Sequence, residues 1–275
     1  MNNKQQSEYW NGAAGQTWVG AQVHLDEILN PISQVALSQA AGMPGEQTLD
    51  VGCGCGTTSL ALAAQGAQVL GVDISAPMLV HAKNRLRGVE RVSYLHADAS
   101  AAVFEPIYDL VFSRFGVMFF DNPVGAFSNL HGALKPGGRL VFVCWQSSAA
   151  NPWIAVGAQA IESFFPANDP PDPRMPGPFA FADPEYLQDV LVRSGYQQIH
   201  LRPLLMDLTV GSDLDSAMNF QTEVGPGSRV MTDLKGGVRD RAVNAVRDAL
   251  TPYITPLGVR MSSSTWIVTA SKGDK

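Results

Sequence analysis

The sequence has few cysteines, and their spacing suits neither of the usual roles of clustered cysteines. The 275 residues include only Cys53, Cys55 and Cys144. An odd count does not favour a disulfide framework, and a Cys-x-Cys pair with no neighbouring Cys or His is not a zinc site. We therefore predict reduced thiols, a cytoplasmic location and no metal site.

The sequence also lacks a long apolar run, a signal peptide and any long run of basic residues. No stretch of about 18 uncharged apolar residues occurs, so we predict no membrane span. The N-terminus from Met1 to Glu8 is polar and has no apolar segment of the signal-peptide kind. The formal net charge is −6, which argues against a nucleic-acid or anionic-membrane partner and favours a small neutral or cationic substrate.

A cluster of three glycines directly follows a short apolar segment. Thr48 to Val51 reads as a buried strand, Gly52, Gly54 and Gly56 form a turn, and a helix begins at Thr57. Glycines let the backbone turn tightly and approach a ligand where a Cβ would collide, and the first N–H groups of the helix face whatever lies over the turn. This order of elements is typical of a nucleotide-type cofactor site on a parallel sheet.

An acidic residue follows this turn at an informative distance. Asp73 ends the next apolar run, 21 positions after Gly52 (73 − 52). An acid about 20 residues beyond such a turn lies at the tip of the adjacent strand, where its carboxylate accepts both hydroxyls of a ribose. Asp73 could instead cap the next helix, but Ser75 is better placed for that role. We therefore predict that Asp73 binds a ribose.

These motifs together resemble a known family. The pattern Asp-x-Gly-x-Gly-x-Gly is complete from Asp50 to Gly56, and Asp73, Asp98 and the turn at residues 136–138 (Pro-Gly-Gly) follow in the family's order. On these residues the chain resembles the class I S-adenosylmethionine (SAM) dependent methyltransferases, and within them the ubiquinone/menaquinone-biosynthesis-like group (methyltransferase type 11). The likeness covers roughly residues 45 to 146.

The resemblance implies a SAM site and the residues that form it. The glycine turn contacts the amino-acid part of SAM, Asp73 binds the ribose, and Asp98 with the Ala99 N–H binds the adenine. The expected cofactor-binding residues are Trp18, Asp50, Gly52, Cys53, Gly54, Asp73, Ile74, Met78, Asp98, Ala99, Ser113, Arg114 and Phe115. Ordinary structural roles stay open for some of them. Met78 suits the core equally well, and Arg114 is either a surface cation or the partner of a carboxylate such as that of the cofactor.

The spacing of apolar segments predicts an α/β fold. Five strands alternate with helices up to a fifth strand over Arg139 to Trp145, which indicates a doubly wound, mostly parallel sheet, here the Rossmann-like methyltransferase fold. The alternating pattern of residues 196–210, together with a last strand over Thr265 to Ala270, predicts antiparallel strands at the C-terminal end of this sheet.

Two segments are expected to cover the site. Residues 8–40 have helical periodicity, and we expect residues 1–42 to form a helical lid on a SAM-binding domain of residues 43–275. Trp18 either fastens this helix to the sheet or covers the cofactor. Residues 212–258 are expected to be a helical insertion over the substrate, with a flexible Gly-Pro-Gly at 225–227.

The predicted reaction is a direct SN2 methyl transfer from SAM, with S-adenosylhomocysteine as product. Aromatic residues in the covering segments favour a small apolar or aromatic acceptor, although core packing explains them equally well: Trp145, Trp153, Phe179, Phe181 and Phe220. His24 is the candidate general base. Two alternatives stay open. One is a non-catalytic SAM-binding regulator, and the other is a nicotinamide-dependent oxidoreductase, whose fingerprint spaces the third glycine differently.

Overall fold

The computed structural model describes residues 3–165, 172–224, 231 and 234–274. In these residues the α-helices are α1 (Asn3–Asn11), α2 (Ala13–Gly20), α3 (Gln22–Ala40), α4 (Thr57–Ala64), α5 (Ala76–Asn84), α6 (Pro123–Ala133), α7 (Pro152–Ile161), α8 (Pro184–Arg193), α9 (Leu214–Asn219) and α10 (Gly236–Leu250). The strands are β1 (Gln47–Val51), β2 (Gln68–Asp73), β3 (Val92–His96), β4 (Tyr108–Arg114), β5 (Leu134–Trp145), β6 (Gln197–Gly211), β7 (Ile254–Thr255) and β8 (Gly258–Ser271). Short 3-10 turns occur at Val117–Phe119, Ser148–Ala150, Glu162–Phe164 and Thr251–Tyr253, and a π-helical turn at Phe220–Val224.

The strands form one sheet in the order β3-β2-β1-β4-β5-β8-β6, with β7 paired to β8. Strands β1 to β5 pair in parallel, while β8 runs antiparallel to both β5 and β6. The predicted doubly wound, mostly parallel sheet with antiparallel C-terminal strands is therefore confirmed. Because the chain moves outward from β1 to β3 and then returns to β4 on the other side of β1, the strand order reverses at β1 and β4. Ligands bind at this switch point in open α/β sheets.

Local sequence signals account for where several helices begin. Ser75 precedes α5 and its hydroxyl accepts the Met78 N–H, while the Asp183 carboxylate before α8 accepts the Glu185 N–H at 3.0 Å. Both helices carry proline in their first turn, where its missing N–H is not needed. No helix in the described part of the chain combines the length and the apolarity needed to cross a membrane.

The core contains an aromatic cluster between the sheet and the helices. Phe127 of α6 is fully buried, and its ring centroid lies 5.4 Å from that of Phe142 and 5.9 Å from that of Phe181. Phe181 is therefore a core residue. Of the two explanations that the sequence left open for this aromatic residue, core packing is the one that holds.

The N-terminal segment is three helices, whereas the periodicity over residues 8–40 suggested one continuous helical stretch. The helices begin at Asn3 and are interrupted at Gly12 and Ala21. Helix α3 is part of the core, because its apolar face is buried against the sheet and α4. Within the expected lid of residues 1–42, only α1 and α2 lie outside this core layer.

The last strand is longer than predicted. Strand β8 begins at Gly258, seven residues before the expected start at Thr265. Its first half contains three consecutive serines, and pairing with β6, for example Leu205 with Ser264, satisfies its backbone groups. The segment 212–258 contains α9 and α10; α10 packs on both α7 and α9. The Gly-Pro-Gly of residues 225–227 lies outside the described residues.

Candidate active site

The glycine turn between β1 and α4 has the backbone conformation that its sequence demands. Gly52, Gly54 and Gly56 all have positive φ, at 66°, 54° and 82°. A Cβ added to Gly52 would lie 2.6 Å from the Cα of Gly116, so this position must be glycine. A Cβ on Gly54 would meet only the sulfur of Met78, at 3.7 Å. The backbone at Gly54 therefore has open space above it.

Asp73 is attached directly to this turn. Its Oδ2 accepts the Gly54 N–H at 2.7 Å, and its Oδ1 accepts the Ser75 N–H at 2.8 Å. Burial raises the pKa of the Asp73 carboxyl and outweighs these backbone hydrogen bonds, which lower it. The two hydrogen bonds orient the carboxylate and leave each oxygen with capacity for another donor.

Asp98, after β3, is held in a similar way. Its Oδ1 accepts the N–H and the hydroxyl of Ser100, and its Oδ2 accepts the Asn3 amide of α1 at 2.8 Å. The first helix of the chain is therefore hydrogen-bonded to an acid at the edge of the sheet. No sequence motif indicated this contact.

A cavity of about 460 Å³ lies at the carboxyl ends of β1, β2 and β4, beside the glycine turn. Most of the predicted cofactor-binding residues line it: Trp18, Gly52, Cys53, Gly54, Asp73, Ile74, Met78, Asp98, Ala99, Arg114 and Phe115. The structure thus brings together residues from six separate places along the chain. Met78, for which a core role stayed open, is both largely buried and part of the wall.

Asp50 and Ser113 support the wall from behind and do not line it. Asp50 is fully buried, and its Oδ2 accepts hydrogen bonds from the hydroxyls of Thr58 and Ser59 at 2.8 and 2.6 Å. Burial raises the pKa of Asp50 to about 6, against these hydrogen bonds, which lower it. The Ser113 hydroxyl donates to the Val51 carbonyl and accepts the Gly116 N–H. Both residues hold the backbone around the glycine turn.

Arg114 forms a polar cluster with a residue that the sequence did not single out. Its Nη2 lies 3.4 Å from Oδ1 of Asp26 on α3, and its Nη1 donates to the Ser33 hydroxyl at 2.9 Å. Asp26 also accepts hydrogen bonds from Thr57 and from the Gln22 amide. The Arg114 side chain is only 15% exposed, so it is a partly buried cation at the cavity wall and not a surface arginine.

Aromatic side chains form the other end of the cavity. The ring of Phe115 stacks on that of Trp145, with centroids 4.0 Å apart and planes 5° apart. Trp153 of α7 stacks on Phe220 of the π-helical turn at a centroid distance of 5.6 Å. The apolar run after Phe115 also contributes wall residues: Met118, Phe119 and Phe120. Phe179 is partly buried against the core and does not line the cavity.

Part of the N-terminal segment closes this cavity from above. Trp10 and Trp18 pack edge to face with ring centroids 5.8 Å apart, and Trp10 packs in the same way on Phe119 at 5.4 Å. Both tryptophans line the cavity, as do Asn3, Gln6 and Tyr9 of α1. Helices α1 and α2 therefore contribute side chains directly to the wall.

His24 is not placed on the cavity wall. Its imidazole lies 6.0 Å from the ring of Phe220, and it lines a separate, open depression with Thr17 and Glu223. Phe220 contributes to both. No histidine lines the cavity among the described residues, so this geometry gives the predicted base no support. The described residues also contain no cluster of three or more His, Cys, Asp or Glu that could bind a metal ion.

A family profile and two curated proteins match part of this chain. The profile of a family described as "Methyltransferase domain" covers residues 49–142. The chain is similar to a demethylmenaquinone methyltransferase from Clavibacter sepedonicus, with 40% identity over 126 residues, or 45% of this chain and 51% of the relative. It is also similar to a ubiquinone biosynthesis O-methyltransferase from Aromatoleum aromaticum, with 32% identity over 117 residues, or 42% of this chain and 50% of the relative. The chain spans about half the length of these curated relatives.

A solved structure shares the fold over most of the chain. The YcgJ protein from Bacillus subtilis has a TM-score of 0.61 at 15% identity, covering 90% of this chain and 100% of that one. Within the matched residues 49–142, the glycine turn, Asp73 and Asp98 meet at one edge of the sheet. Residues 49–142 of this chain therefore match a methyltransferase domain, on a sheet with the strand order of the Rossmann-like methyltransferase fold, and the two curated relatives are named as a demethylmenaquinone methyltransferase and a ubiquinone biosynthesis O-methyltransferase.

Proposed function

We propose that the protein binds SAM in this cavity and catalyses transfer of its methyl group to a small apolar or aromatic molecule, with S-adenosylhomocysteine as product. The observation that carries the proposal is the division of one cavity into a polar end and an aromatic end. The glycine turn, Asp73 and Asp98 stand at the polar end, and Trp145, Trp153 and Phe220 at the aromatic end.

The residues at the polar end fit the groups of SAM. The open backbone at Gly54 admits the amino-acid part, which any larger residue would obstruct. Asp73 retains acceptor capacity for the ribose hydroxyls, and Asp98 with Ala99 suits the amino group and ring of the adenine. Arg114 is a cation within reach of the same wall and would pair with the carboxylate of the cofactor.

The aromatic end suits an uncharged acceptor. Its walls are aromatic and aliphatic side chains from β5, α7 and the π-helical turn, and the last of these supports a substrate-covering role for the segment 212–258. The two relatives above are named for demethylmenaquinone and for ubiquinone biosynthesis, which supports an acceptor with an apolar or aromatic ring. Residues 145–224, which form much of this wall, lie outside the matched domain of residues 49–142.

The protein's part in the reaction is positioning. The sulfonium methyl of SAM is already electrophilic, so holding the acceptor in line with it supplies most of the rate. The stacked pair Phe115 and Trp145 would orient a planar acceptor and exclude water from the reacting atoms. A general base is needed only where the acceptor loses a proton. His24 would have to approach past Phe220 to serve in that role.

The first test is calorimetric titration of the wild type and Asp73→Ala with SAM, S-adenosylhomocysteine and NADH. We expect micromolar binding of the first two ligands and a loss of roughly ten- to a hundredfold in the variant, the equivalent of about 1–3 kcal/mol. Binding of NADH without binding of SAM would reject the proposal. The protein is expected in the cytoplasm, in keeping with its free cysteines.

One alternative keeps SAM binding and removes catalysis. A non-catalytic SAM-binding regulator is favoured by the lack of any histidine on the described cavity wall. An acceptor screen that follows S-adenosylhomocysteine formation separates the two functions. A panel of phenols, quinols and other apolar ring compounds should include at least one that is methylated if the protein is an enzyme.

A further inference from the structure

Helix α1 lies across the part of the site expected to receive adenine. At one end of the helix, Asn3 donates to Asp98 at 2.8 Å and to the Ser100 hydroxyl at 2.9 Å. At the other end, the Asn11 amide donates to the Ile74 carbonyl at 2.8 Å and accepts the Ala76 N–H at 2.9 Å. The helix therefore bridges the loops after β3 and β2. These two loops carry Asp98 and Ile74.

Gln6 lies between these two attachment points and faces the cavity. It is three residues after Asn3, so the two side chains share one face of the helix. Gln6 is only 3% exposed and lines the cavity together with Asp98 and Ala99. Trp10, one turn further along, lines it as well.

The Gln6 amide has both of its polar atoms unsatisfied. Neither Nε2 nor Oε1 has a hydrogen-bond partner among the described residues. Burying an unpaired polar group is costly, and buried amides almost always find partners. Here one donor and one acceptor, held in one plane and next to a cavity, are both without a partner. A ligand that offers an adjacent acceptor and donor would satisfy them together.

We propose that the Gln6 amide binds the N6/N7 edge of the adenine of SAM, an inference that rests on the proposed function above. Oε1 would accept one hydrogen of the exocyclic amino group, and Nε2 would donate to N7. A glutamine matches this edge of adenine with two parallel hydrogen bonds. The exocyclic amino group has two hydrogens, so Asp98 accepts the one on the N1 side and Gln6 the other.

The arrangement would make α1 part of the specificity of the site. A guanine base presents an oxygen where adenine presents the amino group, so Oε1 of Gln6 would face another acceptor. The same contact would hold α1 closed over the bound base. Gln6 is thus a cofactor-binding residue from a helix that lies outside the matched domain of residues 49–142.

The test compares S-adenosylhomocysteine with its 7-deaza analogue, in which a C–H replaces N7. By titration calorimetry we expect the wild type to bind the parent about five- to tenfold more tightly, as for the loss of one neutral hydrogen bond. Gln6→Met, which keeps the length of the side chain and removes both polar atoms, should weaken parent binding and bring the ratio of the two affinities close to one. Gln5→Met is the matched control, because Gln5 is on the same helix, exposed, and not on the wall.

The outcomes distinguish the role of Gln6 from the proposed function on which it rests. A wild type that binds both compounds equally, or a Gln6→Met variant that keeps the wild-type ratio, would overturn the role of Gln6 and leave SAM binding intact. A wild type that binds neither compound rejects the proposed function and this inference with it. The ratio of the wild-type affinities for the two compounds needs no substitution, so instability of a variant does not affect it.

Discussion

Arg114, at the end of β4, lies 3.4 Å from Asp26 of α3 at the wall of the cavity. One of these residues belongs to the matched domain, and the other to the N-terminal segment before it. Their pairing keeps a cation partly buried beside the place where the carboxylate of the cofactor is expected. It also fastens α3 to the carboxyl end of the sheet.

The first prediction concerns this arginine. Arg114→Gln should weaken binding of S-adenosylhomocysteine by about 1.5–3 kcal/mol, because a charge-assisted hydrogen bond to the carboxylate is lost. Titration calorimetry measures the effect. Arg193→Gln is the matched control, since Arg193 forms an exposed pair with Asp189 on α8 that should matter little. Unchanged binding by Arg114→Gln would show that the cofactor carboxylate is bound elsewhere.

The second prediction concerns the glycine turn. Gly52→Ala places a Cβ 2.6 Å from the Gly116 Cα on a residue with φ of 66°. We expect a loss of at least about 2 kcal/mol in the free energy of unfolding, together with loss of cofactor binding. Urea denaturation and titration with S-adenosylhomocysteine measure the two effects.

A second glycine serves as the control for that substitution. A Cβ on Gly132 of α6 would meet no atom within 4 Å, so Gly132→Ala should raise stability by up to about 1 kcal/mol through helix propensity. Equal effects of the two substitutions would contradict the close approach at Gly52.

The third prediction is a pH dependence that belongs to Asp50. Burial raises its pKa from about 3.8 to about 6, so the native state binds a proton more tightly than the unfolded state. The stability from this group is fully present below pH 3.8 and is lost as pH rises through 6. The free energy of unfolding of the wild type, minus that of Asp50→Asn, should therefore fall by about 2.4 kcal/mol between pH 4 and pH 7.

Denaturant titrations of both proteins across this pH range measure that difference. Acids that do not interact with Asp50 titrate equally in the two proteins, so they cancel in the subtraction. A difference that stays flat, or that grows with pH, would mean that the Asp50 carboxylate is not destabilised by its burial.

The fourth prediction concerns the aromatic end of the cavity. Phe220→Leu removes the ring that stacks on Trp153. It should raise KM for an acceptor found in the screen several-fold while leaving the affinity for S-adenosylhomocysteine unchanged, because the ring is expected to contact only the acceptor. Steady-state kinetics and calorimetry give the two values.

The same substitution in the core provides the comparison. Phe127 is fully buried and does not line the cavity, so Phe127→Leu should lower stability without a specific change in KM. A Phe220→Leu variant that loses cofactor affinity as strongly as acceptor affinity would place Phe220 against the cofactor instead.

The fold and the polar end of the site were largely predictable from the sequence. The run from Asp50 to Gly56 and the spacing to Asp73 are local patterns, because one strand, one turn and one helix separate these residues in any parallel sheet of this kind. Buried apolar strands without alternation indicated a sheet covered on both faces. The sequence also marks the start of α8, because Asp183 is an N-cap residue directly before Pro184.

The sequence mispredicted where two elements begin, because contacts with distant parts of the chain decide these boundaries. The first half of β8 contains three consecutive serines and becomes a strand because β6 lies beside it. Helix α1 begins earlier than its periodicity indicated, and its polar residues Asn3 and Asn11 are anchored to the loops of two distant strands.

The sequence alone determined the chemistry of the strand ends, because the residues of the glycine turn and the acids after β2 and β3 act within short stretches of chain. The tertiary structure decided which residues from the flanking segments join them. Asp26, Asn3 and Gln6 reach the site because α1 and α3 pack over the sheet edge, while His24 lies behind Phe220. Such placements depend on the packing of helices distant in sequence, and no local pattern of residues encodes them.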